Sequence, residues 1–229
     1  MTVKLQTSIE CVLFDLDGTL IDTAPDFIQV VNQLALEINR PLVTETRIRQ
    51  TVSDGARALV KLACGITEDD SQFANLNQRL LDLYYEKLDT TESTVYPGLA
   101  ELLSQFDEVG ISWGIVTNKP EKYAELLLQK LALRDRCKSL VCPEHVSQRK
   151  PHPEPILLAC QQLRRNTERT VYIGDHVRDI QAAKNADVIA IAAAYGYIAA
   201  DARVEDWYAD FILTAPEETG ALLNLLQFA

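Results

Sequence analysis

Apolar residues along the chain follow two patterns, which predict two kinds of element. Short continuous apolar runs bounded by turn residues are typical of buried strands. The predicted strands are Cys11 to Phe14, Ser112 to Thr117, Ser139 to Cys142, Thr170 to Gly174, Val188 to Ala192 and Phe211 to Leu213. Beyond residue 95, segments with helical apolar spacing separate these runs. This alternation indicates an α/β fold, a Rossmann-like parallel sheet with helices on both faces.

The segment between residues 24 and 94 differs because helical spacing fills all of it. Its first predicted helix carries its apolar face at Phe27, Val30, Val31, Leu34 and Ile38. We therefore predict an all-helical domain, residues 24–94, inserted into an α/β core formed by residues 1–23 and 95–229. Such a domain would lie over the strand ends. Its two connections, near Leu20 to Ala24 and Ser93 to Pro97, would be the hinges of a lid.

Two carboxylates follow the first strand where its apolar run ends. Asp15 and Asp17 are separated by one residue, and Gly18 permits a tight turn directly after them. Ligands of open α/β sheets bind at the carboxyl ends of the strands, so both acids are expected in a crevice. Asp15 could be a nucleophile, a metal ligand or both, and Asp17 could exchange a proton with a leaving group. A solvated loop would also place two acids close together, but the residues that follow, through Thr23, weigh against that alternative.

A second strand end and a later loop carry polar residues that suit a phosphate. Thr117 and Asn118 end a predicted strand, where a hydroxyl and a backbone N–H can donate to a phosphoryl oxygen. Asn118 is equally compatible with an N-cap of the next helix. Lys150, fixed locally by Pro151, could neutralise a carboxylate and a phosphate together, although a lone lysine is usually solvated.

A third strand end supplies two more acids, Asp175 and Asp179, which bracket the turn into a helix. With Asp15 they form a set of oxygen ligands, which favours a hard cation and Mg²⁺ above all. A zinc site is disfavoured because the three histidines have no zinc-type spacing and no cysteine pairs with them.

Composition narrows the possible partners and compartments. The chain has 229 residues and a formal net charge of −11, which disfavours nucleic acid and anionic membranes as partners. Its five cysteines include no C-x-x-C pair, as expected in a reducing compartment. The N-terminal segment M-T-V-K-L-Q-T lacks the apolar region of a signal peptide, and the longest apolar run, Val188 to Ala200, is shorter than the roughly 20 residues of a membrane span. We therefore expect a soluble cytoplasmic protein.

The motifs at these positions carry a family resemblance. The chain resembles the haloacid dehalogenase-like hydrolase superfamily at its four motifs, which here are D-L-D-G-T-L-I-D-T, V-T-N-K-P, K-P-H-P-E-P and G-D-H-V-R-D. The helical insertion after the first motif is similar to the C1 cap of that superfamily. The chain also resembles the phosphoglycolate phosphatase group and, within it, the bacterial N-acetylmuramic acid 6-phosphate phosphatases, at T-A-P-D-F-I, V-S-D-G-A-R-A-L-V and Y-G-Y-I.

This resemblance implies a Mg²⁺-dependent phosphatase that acts on a small phosphorylated metabolite through an aspartyl-phosphate. Asp15 would be the nucleophile, and Asp17 would be the general acid and base. Thr117 and Asn118 would hold the phosphoryl group, while Lys150 would orient Asp15 and offset its charge. The implied metal ligands are Asp15, Asp17 through its backbone carbonyl, Asp175 and Asp179. All of these positions match the family pattern, which argues against a non-catalytic binding homologue.

Substrate choice is expected to lie in the cap. The loop Ser53 to Arg57 is the candidate specificity segment, in which Gly55 would allow close approach and Arg57 would pair with a substrate carboxylate. Arg57 is equally compatible with an ordinary surface charge. The resemblance implies N-acetylmuramic acid 6-phosphate or 2-phosphoglycolate as the substrate, and both carry a carboxylate.

The sequence leaves one alternative activity and the oligomeric state open. A β-phosphoglucomutase-like phosphotransferase would share all four motifs and is the alternative activity. A dehalogenase is disfavoured because that branch normally lacks an acid at the position of Asp17. Both a monomer and a small homo-oligomer are compatible with the sequence, and nothing in it assigns a role to Tyr195 to Ile198.

Overall fold

The computed structural model describes residues 9–226, so the N-terminal segment in which we expect no signal peptide lies outside the described residues. Within these residues the strands are β1 (Cys11–Phe14), β2 (Ile21–Asp22), β3 (Thr94–Val95), β4 (Ser112–Val116), β5 (Leu140–Val141), β6 (Thr170–Gly174), β7 (Ile189–Ala193) and β8 (Phe211–Leu213). The α-helices are α1 (Ala24–Glu37), α2 (Glu45–Val52), α3 (Ala56–Cys64), α4 (Phe73–Lys87), α5 (Leu99–Val109), α6 (Glu121–Lys130), α7 (Glu154–Leu163), α8 (Val177–Asn185) and α9 (Glu218–Leu225). In this described part of the chain, no helix combines the length and the apolar character needed to cross a bilayer.

Six of the described strands form one parallel sheet, in the order β5-β4-β1-β6-β7-β8. The first strand of the chain, β1, lies inside the sheet, where Cys11 is opposite Ser112 of β4 on one side and Thr170 of β6 on the other. The predicted α/β, Rossmann-like sheet is therefore confirmed.

Both faces of this sheet are buried, which explains the continuous apolar runs of its strands. Along β1, Val12 and Phe14 belong to one apolar cluster, while Cys11 and Leu13 belong to another. Helices α5, α6 and α9 contribute to the first cluster, and α7 and α8 contribute to the second. Because neither face is free for polar side chains, the functional groups of β1 appear only where the strand ends.

Helices α1–α4 form a helical block between β2 and β3 and pack against one another. The rings of Phe27 on α1 and Tyr84 on α4 stack with 4.4 Å between centroids and 3° between planes. The strands β2 and β3 were not predicted, because two residues are too short to show a periodicity. They pair antiparallel, with Ile21 opposite Val95, so the two connections between the block and the sheet run side by side.

A side chain caps the first turn of helix α8. The helix begins at Val177. The backbone N–H of Arg178 donates to His176 Nδ1 at 3.1 Å, and the backbone N–H of His176 donates to Asp179 Oδ2 at 3.0 Å. This reciprocal capping box starts the helix directly after the strand and fixes the carboxylate of Asp179 at the strand end.

Candidate active site

The ends of three neighbouring strands bring the predicted acids together. Strands β1, β4 and β6 are adjacent and parallel, so the residues that follow them meet at one edge of the sheet. Carboxylate oxygens of Asp15, Asp175 and Asp179 lie within 4.8 Å of one another, and all three residues are buried. Gly174 makes room for this packing, since a Cβ at that position would lie 2.4 Å from Asp179 Cβ.

The ammonium group of Lys150 lies among these carboxylates. Its Nζ is 2.8 Å from Asp15 Oδ1 and 2.7 Å from Asp179 Oδ1. It also donates to Val116 O at 2.9 Å and to Tyr172 Oη at 2.7 Å. Burial opposes the charge of this group, but the two carboxylates outweigh burial and raise the pKa of Lys150 above its ordinary value. The lysine therefore stays charged and faces the predicted nucleophile.

The charges of this cluster do not balance, and the excess fits a divalent cation. Among residues 9–226, three buried carboxylates face one ammonium group, which leaves two negative charges of this cluster without a cationic partner. Burial raises the pKa of Asp15, and burial together with the charges of Asp15 and Asp179 raises the pKa of Asp175. Asp175 Oδ1 is buried and has no hydrogen-bond partner within residues 9–226. A hard cation with oxygen ligands, such as Mg²⁺, fits this set of donors.

Asp17 has different partners from the three clustered acids. Its Oδ1 accepts from Thr23 Oγ1 at 2.7 Å and from Lys119 Nζ at 2.9 Å. Burial opposes the charge of Lys119, but Asp17 and Tyr84 together outweigh burial and raise the pKa of this lysine above its ordinary value. Asp15 and Asp17, separated by one residue, thus have different surroundings. That the backbone carbonyl of Asp17 binds a metal stays a prediction.

Thr117 and Asn118 lie at the end of β4, beside the loop that carries Lys150. The backbone N–H of Thr117 donates to Val141 O at 2.9 Å within the sheet, which leaves the hydroxyl as its donor toward a ligand. The amide of Asn118 donates to the backbone O of Lys150 at 3.2 Å. The alternative of Asn118 as a helix N-cap is wrong, because Pro120 occupies the N-cap position of α6.

The loop between α2 and α3 reaches the end of β6. Ser53 Oγ donates to Asp175 Oδ2 at 2.8 Å, and Asp54 Oδ1 lies 3.4 Å from His176 Nε2. The guanidinium of Arg178 donates to the backbone O of Ser53. These contacts hold the helical block against the site.

Of the two predicted specificity residues, Gly55 lies in this loop and Arg57 lies in the first turn of α3. Gly55 has a φ of +86°, a left-handed conformation that favours glycine. Arg57 pairs with Glu68 and lies over the ring of Phe73, with its Cζ 5.0 Å from the ring centroid. Both partners belong to the helical block, and the substrate contact of Arg57 stays a prediction.

A sequence profile of one family, described as haloacid dehalogenase-like hydrolase, matches residues 12–193, which include every acid and lysine described above. The chain belongs to the haloacid dehalogenase-like hydrolase family. It is 43% identical over 210 residues to the N-acetylmuramic acid 6-phosphate phosphatase of Pseudomonas aeruginosa, covering 92% of each chain. It is 37% identical over 207 residues to a phosphoglycolate phosphatase of Xanthomonas campestris, covering 90% of this chain and 93% of the relative.

A solved structure supports the fold of this haloacid dehalogenase-like hydrolase. A protein from Haemophilus somnus, described as a predicted phosphoglycolate phosphatase, superposes with a TM-score of 0.83 at 24% identity over 95% of this chain and 99% of that chain. The family model and the curated relatives confirm the predicted family and the predicted enzyme class, a phosphatase. The roles of individual residues stay predictions.

Three contacts of this hydrolase were not anticipated from its sequence. Lys119 belongs to the segment V-T-N-K-P and Ser53 to the specificity loop, but neither pattern predicts a partner for its side chain. Tyr197, in the segment without an assigned role, donates its backbone N–H to Asp175 Oδ2 at 2.8 Å. The sequence signal for Lys119 was its place two residues after Thr117, at a strand end that already carried candidate residues. Nothing in the sequence marks the contacts of Ser53 and Tyr197.

Proposed function

We propose that this hydrolase is a Mg²⁺-dependent phosphatase that cleaves a small phosphorylated metabolite through an aspartyl-phosphate formed on Asp15. The observation that carries this proposal is the separation of two neighbouring acids. Asp15 lies with Lys150 in the carboxylate cluster, whereas Asp17 lies outside it with Lys119 and Thr23. Different surroundings support different chemical roles for the two acids.

The metal would be held by the clustered carboxylates of Asp15, Asp175 and Asp179, with the backbone carbonyl of Asp17 as a further ligand. When bound, Mg²⁺ offsets the negative charges of the cluster and of a phosphate group. The unpartnered Oδ1 of Asp175 supports this assignment, because a buried carboxylate oxygen without a donor is otherwise unfavourable.

We assign two chemical steps to these side chains. Asp15 attacks phosphorus, the bond between phosphorus and the leaving oxygen breaks, and Asp17 donates its proton to that oxygen. Water then attacks the aspartyl-phosphate and gives a proton to Asp17, and the bond between phosphorus and Asp15 breaks. Inorganic phosphate is released, and both acids return to their starting states. Lys150 holds Asp15 in place, while Thr117 and Asn118 would donate to the phosphoryl oxygens.

We assign substrate selection to residues 24–94 as a cap domain, because its loop at Ser53 lies against the site. Such a lid excludes water and selects the alcohol part of the substrate. The identity to the Pseudomonas aeruginosa relative favours N-acetylmuramic acid 6-phosphate, which would place the enzyme in cell-wall sugar recycling. The Xanthomonas campestris relative makes 2-phosphoglycolate the second candidate. We place this activity in the cytoplasm, since all five cysteines are free thiols.

The decisive experiment measures phosphate release from the two candidates side by side, with Mg²⁺ and with EDTA. We expect Mg²⁺-dependent release and a higher kcat/KM for the sugar phosphate. A higher value for 2-phosphoglycolate would reverse the substrate assignment. If a sugar phosphate is isomerised and no free phosphate appears, the enzyme is a phosphotransferase and the proposed phosphatase activity is wrong.

Substitution of Asp15 tests the nucleophile. We expect Asp15→Asn to lower kcat by at least about 10³-fold while the fold is retained, because the amide cannot form the covalent intermediate. The matched control is Asp89→Asn, an exposed acid paired with Lys130, which should keep full activity. Circular dichroism checks the fold of both variants, and turnover of the Asp15 variant near the wild-type rate would remove Asp15 from this role.

A further inference from the structure

A buried lysine lies on the side of Asp17 that faces the helical block. Lys119 Nζ is 2.9 Å from Asp17 Oδ1 and 3.3 Å from Asp17 Oδ2, and only 6% of the lysine side chain is exposed. The same Nζ lies 4.4 Å from the ring centroid of Tyr84 and 5.0 Å from that of Phe27. The ammonium group is thus enclosed by one carboxylate from the sheet edge and two stacked rings from α1 and α4.

This arrangement fixes the position of the ammonium group. A buried charge is unfavourable unless a counter-charge lies beside it, so Lys119 remains next to Asp17. The aromatic faces attract the same cation from the other side. Its backbone is also tied to the strand end, because Lys119 N donates to Thr117 Oγ1 at 3.1 Å.

The same contacts fix the two oxygens of Asp17 in unequal environments. Oδ1 accepts from both Lys119 and Thr23, at 2.9 and 2.7 Å. Oδ2 is farther from the ammonium group, at 3.3 Å. Oδ1 thus has two donors and Oδ2 has one, so Lys119 and Thr23 together fix the rotation of the Asp17 carboxyl group.

We propose that Lys119 is a positioning residue for Asp17, which holds its carboxyl group in the orientation that protonates the leaving oxygen. This inference rests on the proposed function, in which Asp17 is the general acid. Lys119 acts through Asp17 and needs no contact with the phosphate. Because Phe27 and Tyr84 place its ammonium group, the orientation of the acid depends on the helical block.

Leaving-group dependence provides a readout that a purely structural role would not change. An alkyl phosphate needs a proton on its leaving oxygen, whereas p-nitrophenyl phosphate releases a stable anion and does not. The value of kcat/KM reports the steps up to release of the alcohol, before water enters. The ratio of kcat/KM for the two esters, measured on one preparation, is also independent of the fraction of folded enzyme.

We expect Lys119→Met to lower kcat/KM by about 10- to 100-fold for the alkyl phosphate that the wild type cleaves best. The value for p-nitrophenyl phosphate should fall by less than about threefold, because its cleavage needs little general acid catalysis. Lys119→Arg should restore most of the loss. The control is Lys122→Met, three residues farther along, whose exposed ammonium lies over Tyr123 and Tyr85; it should keep the wild-type ratio.

A double variant separates positioning from other effects. If Lys119 acts through Asp17, Lys119→Met should cause no further loss for the alkyl phosphate in an Asp17→Asn background. Equal losses for both esters, or a full further loss in the double variant, would overturn the inference. Asp17→Asn alone tests the proposed function. If Asp17→Asn lowers kcat/KM equally for both esters, Asp17 is not the general acid. If Asp17→Asn lowers kcat/KM mainly for the alkyl phosphate but Lys119→Met does not, only the inference about Lys119 is wrong.

Discussion

Asp15 and Asp17 are separated by one residue, yet each faces a lysine of its own. Asp15 pairs with Lys150, and Asp17 pairs with Lys119. Both lysines are buried, so neither charge is weakened by direct contact with bulk water. The pairing keeps the predicted nucleophile and the predicted acid electrostatically distinct at the end of a single strand.

A glycine next to the cluster makes the contact between Tyr197 and Asp175 possible. A Cβ on Gly196 would lie 2.3 Å from the backbone O of Gly18 and 2.4 Å from Asp175 Cβ. We expect Gly196→Ala to destabilise the fold by about 1–3 kcal/mol through overpacking and to reduce activity by displacing Asp175. Urea unfolding and phosphate release measure the two effects.

The matched control for this glycine lies in α9. A Cβ on Gly220 would lie 3.6 Å from its nearest neighbour, which is an ordinary contact. Gly220→Ala should therefore keep activity and raise stability by up to about 1 kcal/mol, as expected inside a helix. An unfolding midpoint of Gly196→Ala at or above the wild-type value would contradict the steric argument.

Among the elements, α1 is tied to the segment that leads back to the sheet. Asp26, buried in the first turn of α1, accepts from the backbone N–H of Glu92 at 2.8 Å and from Ser93 Oγ at 2.6 Å. Together with the pairing of β2 and β3, this contact joins the beginning and the end of the helical block. The block is therefore connected to the sheet as one unit.

An ion pair between α1 and α4 gives the block a pH dependence. Arg79 donates to both carboxylate oxygens of Glu37, at 2.9 and 2.7 Å. Hydrogen bonds from Arg79 and Gln33 lower the pKa of Glu37 to about 2. Since the folded state binds this proton less tightly than the unfolded chain, the stabilisation is present above the unfolded pKa of about 4.3 and is lost as the pH falls toward 2.

We expect Glu37→Gln to lower the free energy of unfolding by less than about 1 kcal/mol at pH 7, because the pair is largely exposed. The difference from wild type should shrink as the pH falls below the unfolded pKa of glutamate. Urea unfolding across this range is the measurement, with Glu108→Gln, an exposed acid on α5, as the control. A difference that stays constant with pH would mean that the ion pair is not its source.

The elements show where sequence reasoning ends. Strands such as β4 and β6 were predictable, because burial on both faces produces a continuous apolar run. Strands β2 and β3 have two residues each and carry no such pattern. The start of α8 depended on a histidine cap, which is a side-chain contact that an apolar pattern does not show.

For the whole molecule, the excess negative charge of the cluster predicts how metal affects stability. Three buried carboxylates repel one another around Lys150, and a bound cation would relieve that repulsion. We expect Mg²⁺ to raise the Tm of the EDTA-treated wild type, because a ligand of the native state stabilises it. Asp175→Asn should raise the Tm in EDTA, by removing one buried charge, and should abolish most of the response to Mg²⁺.

Thermal unfolding with and without Mg²⁺ distinguishes the two effects. A monovalent salt at equal ionic strength controls for screening of surface charge. If Asp175→Asn lowers the Tm in EDTA and keeps the full response to Mg²⁺, Asp175 is neither a repelled charge nor a metal ligand. The prediction and its contradiction differ in the sign of the Tm change in EDTA, so the test does not depend on the size of that change.

The sequence predicts which residues meet at the strand ends, but it does not predict the contacts between the helical block and the sheet. Residues at neighbouring strand ends converge by the geometry of a parallel sheet, so the proximity of Asp15 and Asp175 could be predicted from the sequence alone. The contacts of Ser53 and Lys119 depend on how the helical block lies against that sheet. No apolar periodicity encodes the relative placement of two packed units, and these contacts could not be predicted.

The pairing of Ile21 with Val95 makes the helical block, in topological terms, an expanded hairpin turn. Antiparallel neighbours can be joined by a loop of about two residues, whereas here a whole layer of helices occupies that loop. The sheet keeps its connectivity whatever the loop contains. One set of helices could therefore replace another without changing the order of the strands whose ends carry the acids.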